Sequence, residues 1–368
     1  MNKRFKFLVY AILFTIAQIG SAQKYINEFL STGLGARSFG MSKSVVASDD
    51  YVTAAYWNPA GLANVEAPFQ VSAMHASLFG NIYKFDFITL GKTVNPSKNG
   101  FGALTIMRGA IDDIPNTLEL IGPDGSIDYN RITYFSNADY CGMISYGQNL
   151  KKIGWTAGGS LKIIRRTFGK FASSWGFGAD LGLRYRNENW LAGATFRDIT
   201  TTYNTWKYSF TEEEKNVLIS TGNTVSSGTT ELARPSVLLG GGYRKQFKRK
   251  FGILIETNLE CTFDGQRNTL IASDVVSIDP SIGFEVDFSK KLFIRAGAHN
   301  FQQVLSPTDN TKKTWTVQPS VGIGLQFGKV HIDYAFANFG SDFETNYSHI
   351  VSASLDFKND EKINNHGF

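Results

Sequence analysis

Residues 175–185 read "WGFGADLGLRY". Trp175, Phe177, Ala179, Leu181, Leu183 and Tyr185 fall on one side of a period-two repeat, and Gly176, Asp180 and Arg184 on the other. Such alternation over a full stretch of this length specifies a strand with one apolar face. The pattern recurs in "SIGFEVDF" (281–288), "VHIDYAF" (330–336) and "HIVSASLDF" (349–357).

Counted along the chain, alternating segments number fourteen: 68–79, 82–93, 99–110, 137–149, 152–167, 174–187, 189–199, 234–248, 250–264, 276–288, 290–301, 315–328, 329–339 and 346–357. After the first hairpin every second connection is short and polar: "VNPSKNG", "NLKKIG", "RNEN", "QFKRK", "SKK" and "GK". Those between are mostly longer, as at 111–136 and 200–233. Short turns at one rim and long loops at the other mark a transmembrane antiparallel β-barrel with periplasmic turns and extracellular loops. A soluble sandwich also alternates, but its outer faces are polar and it has no reason to segregate loop lengths. Here aromatic residues sit near strand ends (Trp155, Trp175, Trp190, Trp315, Phe327, Tyr347, Phe357), as an interfacial girdle requires. The expected fold is therefore all-β, a barrel of fourteen strands over residues 68–357.

Composition agrees. Aromatic residues make up 14% of the chain and glycines outnumber prolines 36 to 9, a balance that favours strands. The start, "MNKRFKFLVYAILFTIAQIGSAQKY", has a basic head, a short apolar run and small residues before Gln23. It reads as a secretory signal peptide over 1–22, too short in its apolar part to span a bilayer. Export to the outer membrane of a Gram-negative bacterium follows as an expectation, with residues 358–368 as a periplasmic tail. Two cysteines, Cys141 and Cys261, rule out a disulfide scaffold. The five histidines are scattered without ligand spacing, and no nucleophile-elbow or phosphate-loop context occurs. No enzyme, metal or cofactor is expected, and the mild net charge of +5 carries no nucleic-acid footprint.

The inward-facing set is polar and glycine-rich. Asp180, Glu256, Glu260, Glu285, Asp287, Asp333 and Asp356 are expected to meet Lys162, Arg166 and Arg184 across the lumen. Gly176, Gly178, Gly182, Gly322 and Gly324 are expected to let a plug or loop backbone approach the wall. Residues 23–67 precede the first strand, lack its alternation and include "ASDDYVTAAYWNPAGL" (47–62). "YVTAAYW" suits a helical turn, and Asn58 before Pro59 suits an N-cap followed by an N1 proline. A compact segment ahead of the first strand has a natural place inside the lumen, as a plug.

"GLGARSFGMSKSVVASDDYVTAAYWNPAGLA" (33–63) resembles the N-terminal signature of FadL-like outer-membrane proteins, and within them the PorV/PorQ group of the type IX secretion system of Bacteroidota. Asp49, Asp50, Trp57, Asn58, Pro59, Ala60 and Gly61 match its plug motif, while Ser42 and Lys43 stand where the group has glycine. The resemblance implies a fourteen-stranded barrel closed by an N-terminal hatch. It also implies partners: secreted proteins with a type IX C-terminal domain, or other secretion components, carried or anchored at the cell surface. The alternative within the same superfamily is passive uptake of hydrophobic compounds such as long-chain fatty acids. In loop 200–233, Thr211 and Glu214 form a capping-box pattern, and Tyr203, Trp206, Tyr208 and Phe210 read as an exposed aromatic set for a protein partner. Loop 111–136 adds apolar residues, among them Ile114 and Leu118.

Overall fold

The computed structural model describes residues 26–121, 125–225, 228–248, 250–306, 309–338 and 347–357. The expected signal peptide (1–22) and tail (358–368) lie outside them. Seventeen strands form one antiparallel sheet. They begin with β1 Phe69–Leu78, β2 Tyr83–Asn95, β3 Gly100–Asn116, β4 Thr133–Asn149, β5 Trp155–Phe168, β6 Ala172–Asn187 and β7 Trp190–Arg197. Next come β8 Thr202–Tyr208, β9 Gly228–Ala233, β10 Ser236–Phe247, β11 Phe251–Thr262 and the short β12 Ile271–Ala272. The last are β13 Ser277–Phe288, β14 Leu292–Ser306, β15 Asp309–Phe327, β16 Val330–Asn338 and β17 Tyr347–Phe357. β1 pairs with both β2 and β17, from Phe69↔Phe357 upward, so the sheet closes on itself. Setting aside β8, β9 and β12, fourteen strands make the wall, and they coincide with the alternating segments of the sequence.

The alternation decides which side chains point outward. On β4 and β5, Ile144 and Leu161 point outward, while the interleaved Ser145, Ser160 and Lys162 are buried inside. Aromatic pairs ring the short-turn rim: Trp155 with Tyr185, Trp190 with Tyr243, Phe251 with Phe288, and Phe69 with Phe357.

Two expected loops are partly wall. β3 runs on to Asn116 and β4 starts at Thr133, past a bulge between Ile111 and Ile114 where Asp113 takes a left-handed backbone. Loop 200–233 holds two strands. β8 continues β7 beyond a break at 198–201, pairing Phe177↔Tyr203 after Leu181↔Phe196 on β6, and β9 leads through Arg234-Pro235 into β10. Positive φ at Asp198 and Thr201 interrupts one strand, and Pro235, which has no N–H, interrupts the other. These breaks hide the alternation of 202–208 from a reading along the chain. The capping box does form: Thr211 and Glu214 satisfy each other at the start of a helix over Glu212–Ser220.

Residues 26–67 lie inside the barrel. They fold as short turns: a 3₁₀ turn Glu28–Ser31, helix α1 Ala36–Gly40, helix α2 Ala54–Trp57 and a 3₁₀ helix Pro59–Asn64. The helix over Glu212–Ser220 is α3. Nearly every residue from Gly33 to Ala63 is buried, and much of the main hydrophobic cluster is supplied from here, by Phe29, Leu34, Phe39, Met41, Tyr56 and Trp57.

The outward face yields a prediction. Ile144→Arg, at a position 67% exposed on the mid-wall of β4, should destabilise the folded barrel by about 2–4 kcal/mol. Ile153→Arg, in the turn before β5 and 95% exposed, should cost less than about 1 kcal/mol. Urea titration of the protein folded into lipid vesicles measures both, and equal costs would argue against a lipid-facing wall.

Candidate functional site: a plug wedged in the lumen

The plug meets the wall most closely at Asn58-Pro59. Asn58 Oδ1 accepts from Ala60 N–H at 3.2 Å, capping the 3₁₀ helix with Pro59 at its first position. Its Nδ2 donates to the Val46 carbonyl at 3.1 Å within the plug, and across to the Leu183 carbonyl on β6 at 3.2 Å. Thr195 Oγ1 on β7 donates to Trp57 O at 2.9 Å, and Trp57 Nε1 donates to Leu34 O at 2.9 Å.

Wall glycines make room for this turn. A Cβ on Gly158 would lie 2.4 Å from the Pro59 carbonyl carbon, one on Gly147 2.2 Å from Pro59 O, and one on Gly182 2.2 Å from Asn58 Oδ1. The three are cross-strand neighbours on β4, β5 and β6, which leaves a bare patch the width of the proline turn. Of the glycines singled out in the sequence, Gly182 and Gly322 face the plug. Gly176 and Gly178 instead admit Asn204 and Thr202 of β8, and Gly324 admits the side chains of Asp333 and Arg295. Gly147, Gly158, Gly193, Gly240, Gly283 and Gly297 also face the plug, and sequence reasoning missed them.

Below the wedge, Asp50 sits among three arginines of the wall. Its carboxylate meets Arg186 at 2.5 Å, Arg244 at 2.8 Å and Arg184 at 3.0 Å. Burial pushes the Asp50 carboxyl up, but the three guanidiniums outweigh it and hold it well below the usual carboxylate range. Arg184 also donates to the carbonyls of Asp49 (2.7 Å) and Ala47, and Arg244 to that of Ser48 at 3.1 Å, so the chain 47–50 is held by its backbone too. On the far side Arg37 of α1 pairs with Glu285 at 3.0 Å, and Arg295 joins Glu285 and Asp333 at 2.6 Å each. Lys162 binds Asp180 and Asp198 at 2.8 Å, as a wall-to-wall partner should. Arg184 departs from that expectation, reaching a plug aspartate rather than a wall carboxylate.

The backbone of Ser42 (φ 48°) and Lys43 (φ 67°) is left-handed. Side chains disfavour that conformation by roughly 1–2 kcal/mol per residue, and glycine escapes the cost. These are the two positions at which the sequence departs from the glycines of the signature it resembles. Ser42 is held by a hydroxyl pair with Ser320 at 2.7 Å, and Lys43 by its N–H to Ser38 O at 2.7 Å and its ammonium to Ser31 O at 2.9 Å.

Two cavities flank the plug. One of about 680 Å³ opens toward the long-loop rim, and one of about 640 Å³ toward the short turns. The six candidate partner-binding residues do not form one exposed patch. Alternation along β8 turns Tyr203 outward and Trp206 inward, under the Arg166 guanidinium at 5.2 Å. Tyr208 stacks on Phe210, and Phe210 on Phe171, which touches Phe135; Phe135 is the cross-strand partner of Ile114. Leu118 is half-buried, and the large exposed apolar side chains among the described residues of loop 111–136 are Ile121, Ile127, Tyr129 and Tyr134. Among the described residues, no cluster of three His, Cys, Asp or Glu is placed to hold a metal.

No protein-family model matches the sequence, and no curated protein does. Solved structures do. The Pseudomonas putida toluene transporter TodX superposes with a TM-score of 0.56 at 14% identity, over 88% of this chain and 98% of that one. The monoaromatic hydrocarbon channel CymD gives 0.57 at 14% identity, over 89% and 98%. The Ralstonia pickettii toluene transporter TbuX gives 0.50 at 12%, over 88% and 98%. The fold is therefore the one these proteins share, a closed, fourteen-stranded antiparallel β-barrel. The solved structures named here are of two toluene transporters and a monoaromatic hydrocarbon channel.

Two outcomes follow for the plug. Gly158→Val should leave a heat-modifiable barrel but unseat Pro59, raising ion conductance in planar bilayers well above the parent; equal conductance would show that the turn does not seal the lumen. Burial, against the pull of Arg37 and the Thr53 hydroxyl, raises the buried carboxyl of Asp49 from 3.8 to about 6. A raised carboxyl favours the folded state most at low pH, so plug stability should fall as pH rises from about 4 to 6. Asp49→Asn should flatten that profile in thermal melts followed across the same range.

Proposed function

We propose that the protein is an outer-membrane channel that admits small apolar or amphipathic molecules, past its plug, into the periplasm. The observation that carries this reading is the pair of cavities stacked on the two faces of the plug, inside a fold shared with proteins described as toluene transporters and a monoaromatic hydrocarbon channel. The long-loop cavity has an apolar side, with Phe29, Leu78, Phe79, Ile82, Tyr83 and Ile111. The rest of its lining is polar, with Lys43, Asp139, Arg166, Glu260, Asp279, His299 and Gln318 among it. A wall divided in this way suits a molecule with an apolar body and a polar end.

A second reading has its own support. The signature over Gly33–Leu62 resembles that of the PorV/PorQ group, which favours surface handling of secreted proteins by the type IX route. The exposed Ile121, Ile127 and Tyr129 at the tip of loop 111–136 are suited to contact such a protein. The wedge and the arginine cluster serve either reading, since both need a closed lumen at rest.

The readings part in one experiment. Ile82→Glu with Ile111→Glu should reduce uptake of a labelled amphipathic compound into proteoliposomes at least fivefold, with Tyr129→Asp neutral. Uptake absent from the parent, together with loss of a co-purifying surface protein in an Ile127→Asp, Tyr129→Asp variant, would replace the first reading with the second.

A further inference from the structure

Three neighbouring strands reach from one cavity to the other. β13, β14 and β15 contribute Asp279, His299 and Gln318 to the cavity at the long-loop rim, and Glu285, Phe293 and Gln326 to the one at the short turns. Between these levels the inward positions are mostly small: Ser281 and Gly283 on β13, Gly297 on β14, Ser320 and Gly322 on β15. The exception is Arg295, fully buried and drawn sideways into its ion pairs with Glu285 and Asp333.

One short piece of the plug fills the gap. Gly40 lies against Gly322, where a Cβ on either would meet the other's Cα at 3.0 Å. Met41 lies over Gly283, Ser42 bonds Ser320 at 2.7 Å, and Ser44 donates to Ser281 at 2.9 Å. Arg37, just before this piece, adds an ion pair to Glu285 on β13. Residues 40–44 themselves, however, meet this wall by close packing and hydroxyl bonds, whereas the opposite wall holds the plug differently. There the plug is fixed by the proline wedge, by Asn58 on wall carbonyls, and by Asp50 among three arginines. Hydroxyl pairs exchange readily with water, whereas a buried carboxylate deprived of its guanidiniums does not. Residues 42 and 43 also carry the left-handed backbone, a strain that displacement of this piece can relieve.

We propose that the passage joining the two cavities runs along the β13–β15 wall and opens by displacement of residues 40–44, while the wedge on β4–β7 stays seated. The inference rests on the transport reading and narrows its substrate. A molecule on this path meets serine hydroxyls and glycine backbone, then the Arg295 guanidinium with its two carboxylates. The path therefore selects a small amphipath with a hydrogen-bonding head over a bare hydrocarbon.

The test uses the full-length protein with Cys141 and Cys261 replaced by alanine. Ser320→Cys on β15 and Ser145→Cys on β4 place a thiol on each wall, at positions 4% and 3% exposed in the closed state, the second beside Ala55 O and Ser160. A small cationic methanethiosulfonate should modify the first at least tenfold faster than the second. Equal rates, or the reverse order, overturn the route. If Ser320→Cys does not give a heat-modifiable barrel, Ser281→Cys takes its place with the same expectation. The pair Ser42→Cys, Ser320→Cys, once oxidised, should abolish proteoliposome uptake of a labelled amphipathic compound, and reduction should restore it; uptake that survives the crosslink also overturns the route. A parent that transports nothing counts against the transport reading alone, because the labelling asymmetry still decides which side of the plug opens.

Discussion

The close approach of Pro59 to Gly147 and Gly158, with Asn58 over Gly182, is the contact on which the closed state depends. A barrel of eight strands fills its interior with its own side chains, but one of fourteen is too wide to do so. This wall does not try. Beneath the proline turn and residues 40–44 its inner face is mostly glycine and serine, and the plug supplies the missing volume through Phe39, Met41, Tyr56 and Trp57. The barrel supplies a smooth backbone surface and the plug supplies the core, so neither part is packed without the other.

Charge reinforces shape. Several arginines point into a lumen where the plug displaces water, and an unpaired buried guanidinium would be strongly destabilising. Arg184 and Arg244 are satisfied only because the plug brings Asp50 and the carbonyls of 47–49 to them. Arg37 of the plug is satisfied by a wall carboxylate, Glu285. Complementary charges on the two parts thus fix the plug's orientation, since a plug turned within the lumen would leave both sets unpaired.

The wall was legible in the sequence because strand alternation is a local property. Ile282, Phe284 and Val286 announce their face whatever lies across the sheet, so the alternating segments could be counted, and the contrast of short turns with long loops pointed to a closed barrel. The breaks at 198–201 and Pro235 concealed two strands, since a left-handed residue or a proline resets the phase of the repeat. The aromatic set at 203–210 looked like one surface because its members are near in sequence. On a strand, however, Tyr203 and Trp206 face opposite ways, and Tyr208 stacks on Phe210, which packs onto Phe171.

By itself the sequence determined the β wall, the outward-facing side of each strand, the cap-and-proline turn at Asn58-Pro59 and the helix begun by Thr211. Each follows from residues within a few positions of one another. Only the tertiary structure decided which glycines the plug covers, that Asp50 rather than a wall carboxylate meets Arg184, and that Ser42 and Lys43 carry a backbone suited to glycine. The reason is separation along the chain. Asp50 lies 134 residues before Arg184, and Ser42 lies 278 before Ser320. Such pairs are chosen by where a closed sheet brings its inner face against an enclosed segment, and no local pattern encodes that distance.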